Sequence, residues 1–265
     1  MSIKISIKNS LNAKLVKNHV IFTNQEFRIN ELSKLPLSKF SSFINKSINS
    51  NNSGEKNFLS FNIDATQKII LIKIKKNQTS LDNEKLGAEF YMYLKSNLYF
   101  KTTFYEQNIR HTLTKNDIFF DQFIQGLQLK SYEFNKYKSK NKEKKFEIEV
   151  INKNKSFKFN KNKKFKSLIE GTNLTKDLVS EPGNILHPDE YANRLLKLRK
   201  FGLKVNVYDK KKLKKLGMNA LLGVGQGSIR GSYLVTLEWK GSKAKKKPLA
   251  FVGKGVCFDT GGISL

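Results

Sequence analysis

The chain has 265 residues, long enough to bury a sizeable core and to divide into two domains. Its single cysteine, Cys257, excludes an internal disulfide, and its apolar runs fall far short of the ~18 residues of a membrane span. No charged-then-apolar leader opens the chain, so a soluble protein of the reducing cytoplasm is expected. The formal charge of +28, from 50 Lys+Arg against 22 Asp+Glu, invites a nucleic-acid reading. The excess, however, is mostly lysine spread along the whole chain among many Asn, Ile and Phe, as an AT-rich coding bias would give. Arginine, the residue of bidentate base and phosphate contacts, is scarce. The charge therefore reads as a solvated surface, with weak salt-sensitive adhesion to polyanions in either case.

Ile3 to Lys8 alternates apolar and polar residues and predicts a half-buried strand. Phe58 to Ile63 and Ile69 to Ile74, separated by Asp64-Ala65-Thr66-Gln67, predict a hairpin; Asn49 to Asn57 has turn composition and reads as a loop. Between Leu81 and Leu98 the stripe Leu86, Phe90, Tyr93 and Leu94 predicts an amphipathic helix, with Ser80 as its N-cap. Tyr99 to Tyr105 follows as a strand, Asn116 to Lys130 as a helix striped by Phe119, Phe123 and Leu127, and Phe146 to Ile151 as a strand. The charged runs around these last residues place a domain boundary near Lys155, giving domains 1–155 and 156–265.

The second domain opens with a helix over Lys166 to Val179 and a loop at Ser180 to Asn184. A further helix begins at Pro188, with Asp189 and Glu190 in its first turn, basic residues in its last, a stripe of Tyr191, Leu195 and Leu198, and Gly202 as the stop. Leu203 to Val207 predicts a strand, Asp209 caps a lysine-rich helix anchored by Leu213 and Leu216, and Tyr233 to Trp239 and Pro248 to Val252 predict two more strands. Helices and strands in alternation predict a three-layer α/β unit with a largely parallel sheet.

Several motifs are set aside. Gly223-Val224-Gly225-Gln226-Gly227-Ser228 lacks the third glycine of a dinucleotide fingerprint and precedes a strand instead of following one. His19, His111 and His187 show no metal-ligand spacing, and Cys257, with no histidine nearby in sequence, reads as a small packed residue. Lys254 and Asp259 are different. Gly253-Lys254-Gly255 ends an apolar run, so the lysine falls at the carboxyl end of a strand, where open α/β folds keep their sites. Asp259, before the Gly261-Gly262 turn, can aim a carboxylate into the same crevice. Residue chemistry alone leaves two readings open: a ligand site, or an exposed ion pair worth ~0–1 kcal/mol.

The stretch Val252 to Ser264, VGKGVCFDTGGIS, resembles the metal-binding signature of the leucyl (cytosol) aminopeptidase family of two-metal peptidases. Lys176 to Asn184 with Pro188 resembles the start of that family's catalytic domain, and Gly126 to Leu129 with Tyr132, Phe134 and Tyr137 is similar to its N-terminal-domain pattern. The resemblance extends from about Leu81 onward. Lys176 departs from it, standing where arginine is usual, as does Gly231-Ser232, where prolines are common.

The resemblance implies a mixed α/β N-terminal domain followed by the start of a three-layer α/β/α metallopeptidase domain. It implies Lys254 as a ligand of one divalent metal and Asp259 as a bridge between two, Mn2+ or Zn2+, with peptides bearing a free N-terminus as substrates. Cytoplasmic hexamers are also implied. A lysine that ligates a metal must be neutral, which for an ordinary lysine at pH 7 costs ~4.6 kcal/mol that the metal has to offset. The family's catalytic lysine would fall just after Leu265 and its other ligands further on, so the expectation is a truncated sequence without catalytic residues of its own, inactive alone. The competing expectation is a lysine-rich nucleic-acid-binding or non-catalytic module.

Overall fold

Strands buried on both faces need nearly continuous apolar sequence, and His19-Val20-Ile21-Phe22 and Ile69-Ile70-Leu71-Ile72 supply it. These two runs form adjacent inner strands of the main sheet in a computed structural model of the chain. The structure describes residues 3–10, 16–51, 56–112, 118–139, 145–153, 163–242 and 247–258. The residues divide into two units, Met1–Thr175 and Lys176–Leu265.

In the first unit, strands β1 (Ile3–Lys8), β2 (Asn18–Thr23), β3 (Phe58–Asn62), β4 (Lys68–Lys73), β5 (Lys101–Tyr105) and β6 (Phe146–Ile151) make one sheet in the order β1-β6-β5-β2-β4-β3. Every neighbouring pair is parallel except β3 with β4, the expected hairpin. Alternate residues divide the core. Val20, Phe22, Ile70, Ile72, Phe104, Ile148 and Val150 face helices α2 (Ser80–Ser96) and α4 (Phe119–Lys130), while Ile21, Ile69, Leu71, Tyr105 and Ile151 face α1 (Ser41–Asn51) and the turns before it. The unit is thus itself a three-layer arrangement. The sequence reading passes over β2 and the short α3 (Glu106–Thr112), and of the loop it expects over Asn49 to Asn57 the first three residues, Asn49, Ser50 and Asn51, are instead the last turn of α1.

Helix α2 starts one residue earlier than its apolar stripe suggests. Thr79, not Ser80, is the N-cap: its hydroxyl accepts from the Asp82 N–H at 3.2 Å while the Asp82 carboxylate accepts from the Thr79 N–H at 2.9 Å. The reciprocal capping box has an acid three residues after Thr79, which a cap at Ser80 would lack. Ser80 Oγ instead accepts from Gln122 of α4 at 2.8 Å, and Gln122 Oε1 accepts from Asn83 at 2.7 Å.

Strands β2 and β5 pair only at His19–Thr103 and Val20–Phe104 and then part. Asn108 of α3 closes the gap, accepting from the Phe22 N–H at 2.7 Å and donating to the Phe22 carbonyl at 2.9 Å. Lower in the same strands, Tyr105 donates its hydroxyl to His19 Nδ1 at 2.5 Å with both rings buried.

The second unit receives the end of α5 (Lys163–Ser180) and continues with α6 (Pro188–Leu196), β7 (Lys204–Tyr208), α7 (Lys210–Lys215), α8 (Asn219–Val224) and β8 (Leu234–Glu238). Helix α6 begins at Pro188 as expected, and Gly202, at φ 87°, stops the 3₁₀ turn that follows it. Its stripe is shifted: Ala192 is the buried residue, and Tyr191, Leu195 and Leu198 are half-buried. Asp209 caps α7 by accepting from the Lys212 N–H at 3.0 Å. Leu213 is buried, but Leu216, the C-cap at the end of the helix, is exposed.

Two expectations about strands in this unit change. The strands β7 and β8 pair antiparallel, from Lys204–Glu238 to Tyr208–Leu234. Pro248 to Val252 forms no strand; with no pairing neighbour among the described residues, Leu249, Phe251 and Val252 stay 82–99% exposed.

Candidate functional site

The glycine-rich stretch runs through residues 247–258 without regular structure. Lys254 lies exposed upon it, between two glycines, and Asp259 lies outside the described residues together with Thr260, Gly261 and Gly262. Around Gly253 a Cβ would meet nothing within 4 Å, so the backbone before Lys254 is open to an approaching molecule. Among the described residues no group of three or more His, Cys, Asp or Glu could hold a metal ion.

Gly255 and Cys257-Phe258 rest on a shelf made by the α5–α6 connection. A Cβ on Gly255 would stand 3.1 Å from the Tyr191 ring, and one on Gly183 would stand 3.1 Å from Phe258 Cβ and 3.3 Å from the Cys257 carbonyl. Both glycines therefore serve close packing of the stretch against the shelf. Sequence reasoning gave the glycines around Lys254 to ligand approach alone, and Gly183 only to a loop.

The shelf is tied by charge. Tyr233, just before β8, donates to Asp189 Oδ1 at 2.7 Å, and Arg230 Nη1 stands 3.6 Å from Oδ2. The Tyr233 hydroxyl is the main reason the Asp189 carboxyl is held below its usual range, with the His187 and Arg230 charges adding to it. His187 is the N-cap of α6, its Nδ1 3.4 Å from the Glu190 N–H and 3.2 Å from Asp189 Oδ2. The nitrogen accepts from the former when bare and faces the latter when protonated. Behind them Glu181, buried, accepts from Arg194 Nη1 at 2.8 Å, and Arg194 Nε donates to Glu190 Oε1 at 2.8 Å.

Cys257 is half-buried, and burial pushes its thiol up, helped by the negative charge of Asp189. That environment disfavours a thiolate, so Cys257 acts as the packed residue its sequence context suggests. His19 sits in the sheet and His187 at a helix cap; both have structural partners. The Gly223 to Ser228 segment runs from the end of α8 toward β8, the wrong order for a dinucleotide loop.

Sequence reasoning placed Asp189 only as a first-turn acid of α6 and Tyr233 only as the start of a strand. Their pairing across 44 residues leaves no local signal. For a metal, the donors on this stretch have suitable chemistry, an exposed amine on a bare backbone. An amine and one carboxylate are nonetheless fewer donors than the four of a tetrahedral site.

The profile of the cytosol aminopeptidase family, catalytic domain, matches residues 173–265. Curated proteins called probable cytosol aminopeptidase are similar as well. That of Phytoplasma australiense is 51% identical over 146 residues, covering 54% of this chain and 29% of the relative; that of Sinorhizobium fredii is 44% identical over 150 residues, covering 54% and 30%. The matched segments of this chain thus cover about 30% of the length of these relatives. Among solved structures, a tomato leucine aminopeptidase mutant superimposes with a TM-score of 0.63 at 19% identity, over 88% of this chain and 50% of that one. The bottromycin maturation enzyme BotP, in a structure with Mn, gives 0.58 at 15% identity, over 85% and 45%. At these identities the two structures establish the shared α/β fold.

Proposed function

We propose, on the premise that residues 173–265 carry the catalytic-domain sequence of the cytosol aminopeptidase family, that the protein is a metal-dependent aminopeptidase. It releases N-terminal amino acids, leucine-type residues by preference, from peptides with a free N-terminus. The observation that carries the reading is the family match, whose span includes Lys254 and Asp259. In this reading residues 1–155 are an N-terminal α/β domain and 156–265 the first part of the peptidase domain. The whole assembly is a cytoplasmic hexamer.

Lys254 and Asp259 would hold two divalent ions, Mn2+ or Zn2+, Lys254 at one and Asp259 between them. Such ions supply Lewis acidity and a nucleophilic water at neutral pH. The chain's own residues do the positioning. Lys254 offers an amine, Asp259 a carboxylate, and the bare backbone at Gly253 lets a substrate approach. Tyr191 and Gly183 seat the stretch, and the Asp189–Tyr233 hydrogen bond fixes the shelf beneath it.

These 265 residues alone do not hydrolyse peptides, since two donors do not complete a two-metal site. The test is hydrolysis of leucyl-amide substrates with added Mn2+ or Zn2+. The natural product purified from its own cells is expected to turn over and the 265-residue chain to be silent. Robust turnover by the short chain would overturn the ligand accounting, and a natural product inert with both metals would overturn the aminopeptidase reading.

A further inference from the structure

In the first unit a cavity of about 210 Å3 opens where β4 ends and α2 begins, lined by Lys73, Lys75, Lys76 and Lys85 together with Asp82 and Glu89. The Lys73 ammonium is set against the Phe27 ring in the other core layer, so the ammonium groups of Lys75, Lys76 and Lys85 stand against two carboxylates, an excess of one positive charge. Both carboxylates already have partners: Asp82 accepts from the Thr79 N–H and hydroxyl at 2.9 and 2.7 Å, and Glu89 accepts from Asn57 at 2.9 Å. Lys75, Lys76 and Lys85 are exposed, and among the described residues no ion pair joins any of them to a carboxylate. Lys73 is itself buried, with its ammonium 4.7 Å from the centre of the Phe27 ring. Burial chiefly, and to a smaller extent the Lys75 charge, push its ammonium down.

A concentration of cations at the carboxyl end of a sheet strand lies where open α/β folds receive ligands. Lysine is a point-charge binder of phosphate. The volume lies below the ~300–1,000 Å3 of pockets that enclose drug-sized molecules, so the ligand is small. We propose that this cavity binds a small phosphate-type oxyanion, free phosphate or pyrophosphate, independently of the peptidase chemistry of the second unit.

Calorimetric titration with pyrophosphate at constant ionic strength tests this on the 265-residue chain. One saturable site is expected, weakened at least about tenfold in the Lys75→Ala/Lys76→Ala/Lys85→Ala variant. A control variant, Lys210→Ala/Lys211→Ala/Lys214→Ala, removes the same charge from exposed positions of α7 and should keep the site. Equal weakening in both variants, or no saturable site in the unaltered chain, would overturn the proposal. Amide shifts of the unaltered chain give a reading that needs no variant to fold. Confinement of the pyrophosphate-induced shifts to the residues around 73–89 supports the site, and a spread over lysines of both units refutes it.

Discussion

Gly87 of α2 and Gly126 of α4 meet at one helix crossing: a Cβ on Gly87 would stand 1.8 Å from the Phe123 carbonyl oxygen, and one on Gly126 would stand 1.8 Å from that of Glu84. Neither clash can be relieved by a side chain, since both partners are backbone. Gly87→Ala or Gly126→Ala must push the helices apart and disturb the aromatic layer of Phe90, Phe104 and Phe123 beneath. A loss of about 3 kcal/mol is expected, the upper part of the range for overpacking. Urea denaturation measures it, and a loss within experimental error for both variants would contradict the close crossing.

His19 gives the first unit a titration in the mildly acidic range. Burial lowers its pKa to about 4, outweighing the opposing influence of Gln67 and Asp64. The native ring is therefore neutral, and Tyr105, whose phenol burial pushes up, remains the donor to Nδ1. A folded pKa below the unfolded 6.5 means that this contribution is complete above pH 6.5. It declines as the pH falls toward 4, by about 3 kcal/mol in all. Stability curves between pH 7 and 4 should show this slope, and His19→Gln should flatten it.

Removing the Tyr233 hydroxyl withdraws the main support of the Asp189 charge. In Tyr233→Phe the Asp189 carboxyl should titrate at higher pH than in the unaltered chain, as carboxyl carbon NMR would record. Because Asp189 is partly open to water, the stability cost is about 1 kcal/mol. The stability that the lowered carboxyl confers is present at neutral pH and lost as the pH falls through its native pKa. An unchanged Asp189 titration would deny the bond its role.

Arg194→Met leaves Glu181 buried without its guanidinium partner. Breaking a buried pair by removing one member costs about 3 kcal/mol or more, and Glu181→Gln combined with Arg194→Met should recover part of the loss. A double variant as unstable as the single one, measured by urea denaturation, would show that the buried charge is not what the arginine supports.

The elements that the sequence discloses are those whose apolar period is regular over many residues, as in α2, α4 and the β3–β4 hairpin. Helix α1 escapes because its composition is Ser and Asn, poor helix formers, and only Ile44 and Ile48 are buried. Strand β2 has only four consecutive apolar or aromatic positions before Thr23, too few to separate strand from helix by period. The candidate site is legible in its chemistry, from Lys254 and the glycines around it, but its supports are not. Asp189 meets Tyr233, and Gly183 meets Phe258, over separations that no local pattern spans. The exposed Leu249 to Val252 run shows the converse: its sequence has the character of a strand, yet pairing requires a neighbour that sequence period cannot supply.

Asn108 makes a helix answerable for a strand. Its amide accepts from and donates to Phe22, so the hydrogen-bonding edge of β2 beyond Val20 is completed by α3 and not by β5. Exchange of the Phe22 amide proton with solvent is then timed by the unwinding of α3, a helix of seven residues, while its neighbours in β2 keep the slower clock of the sheet.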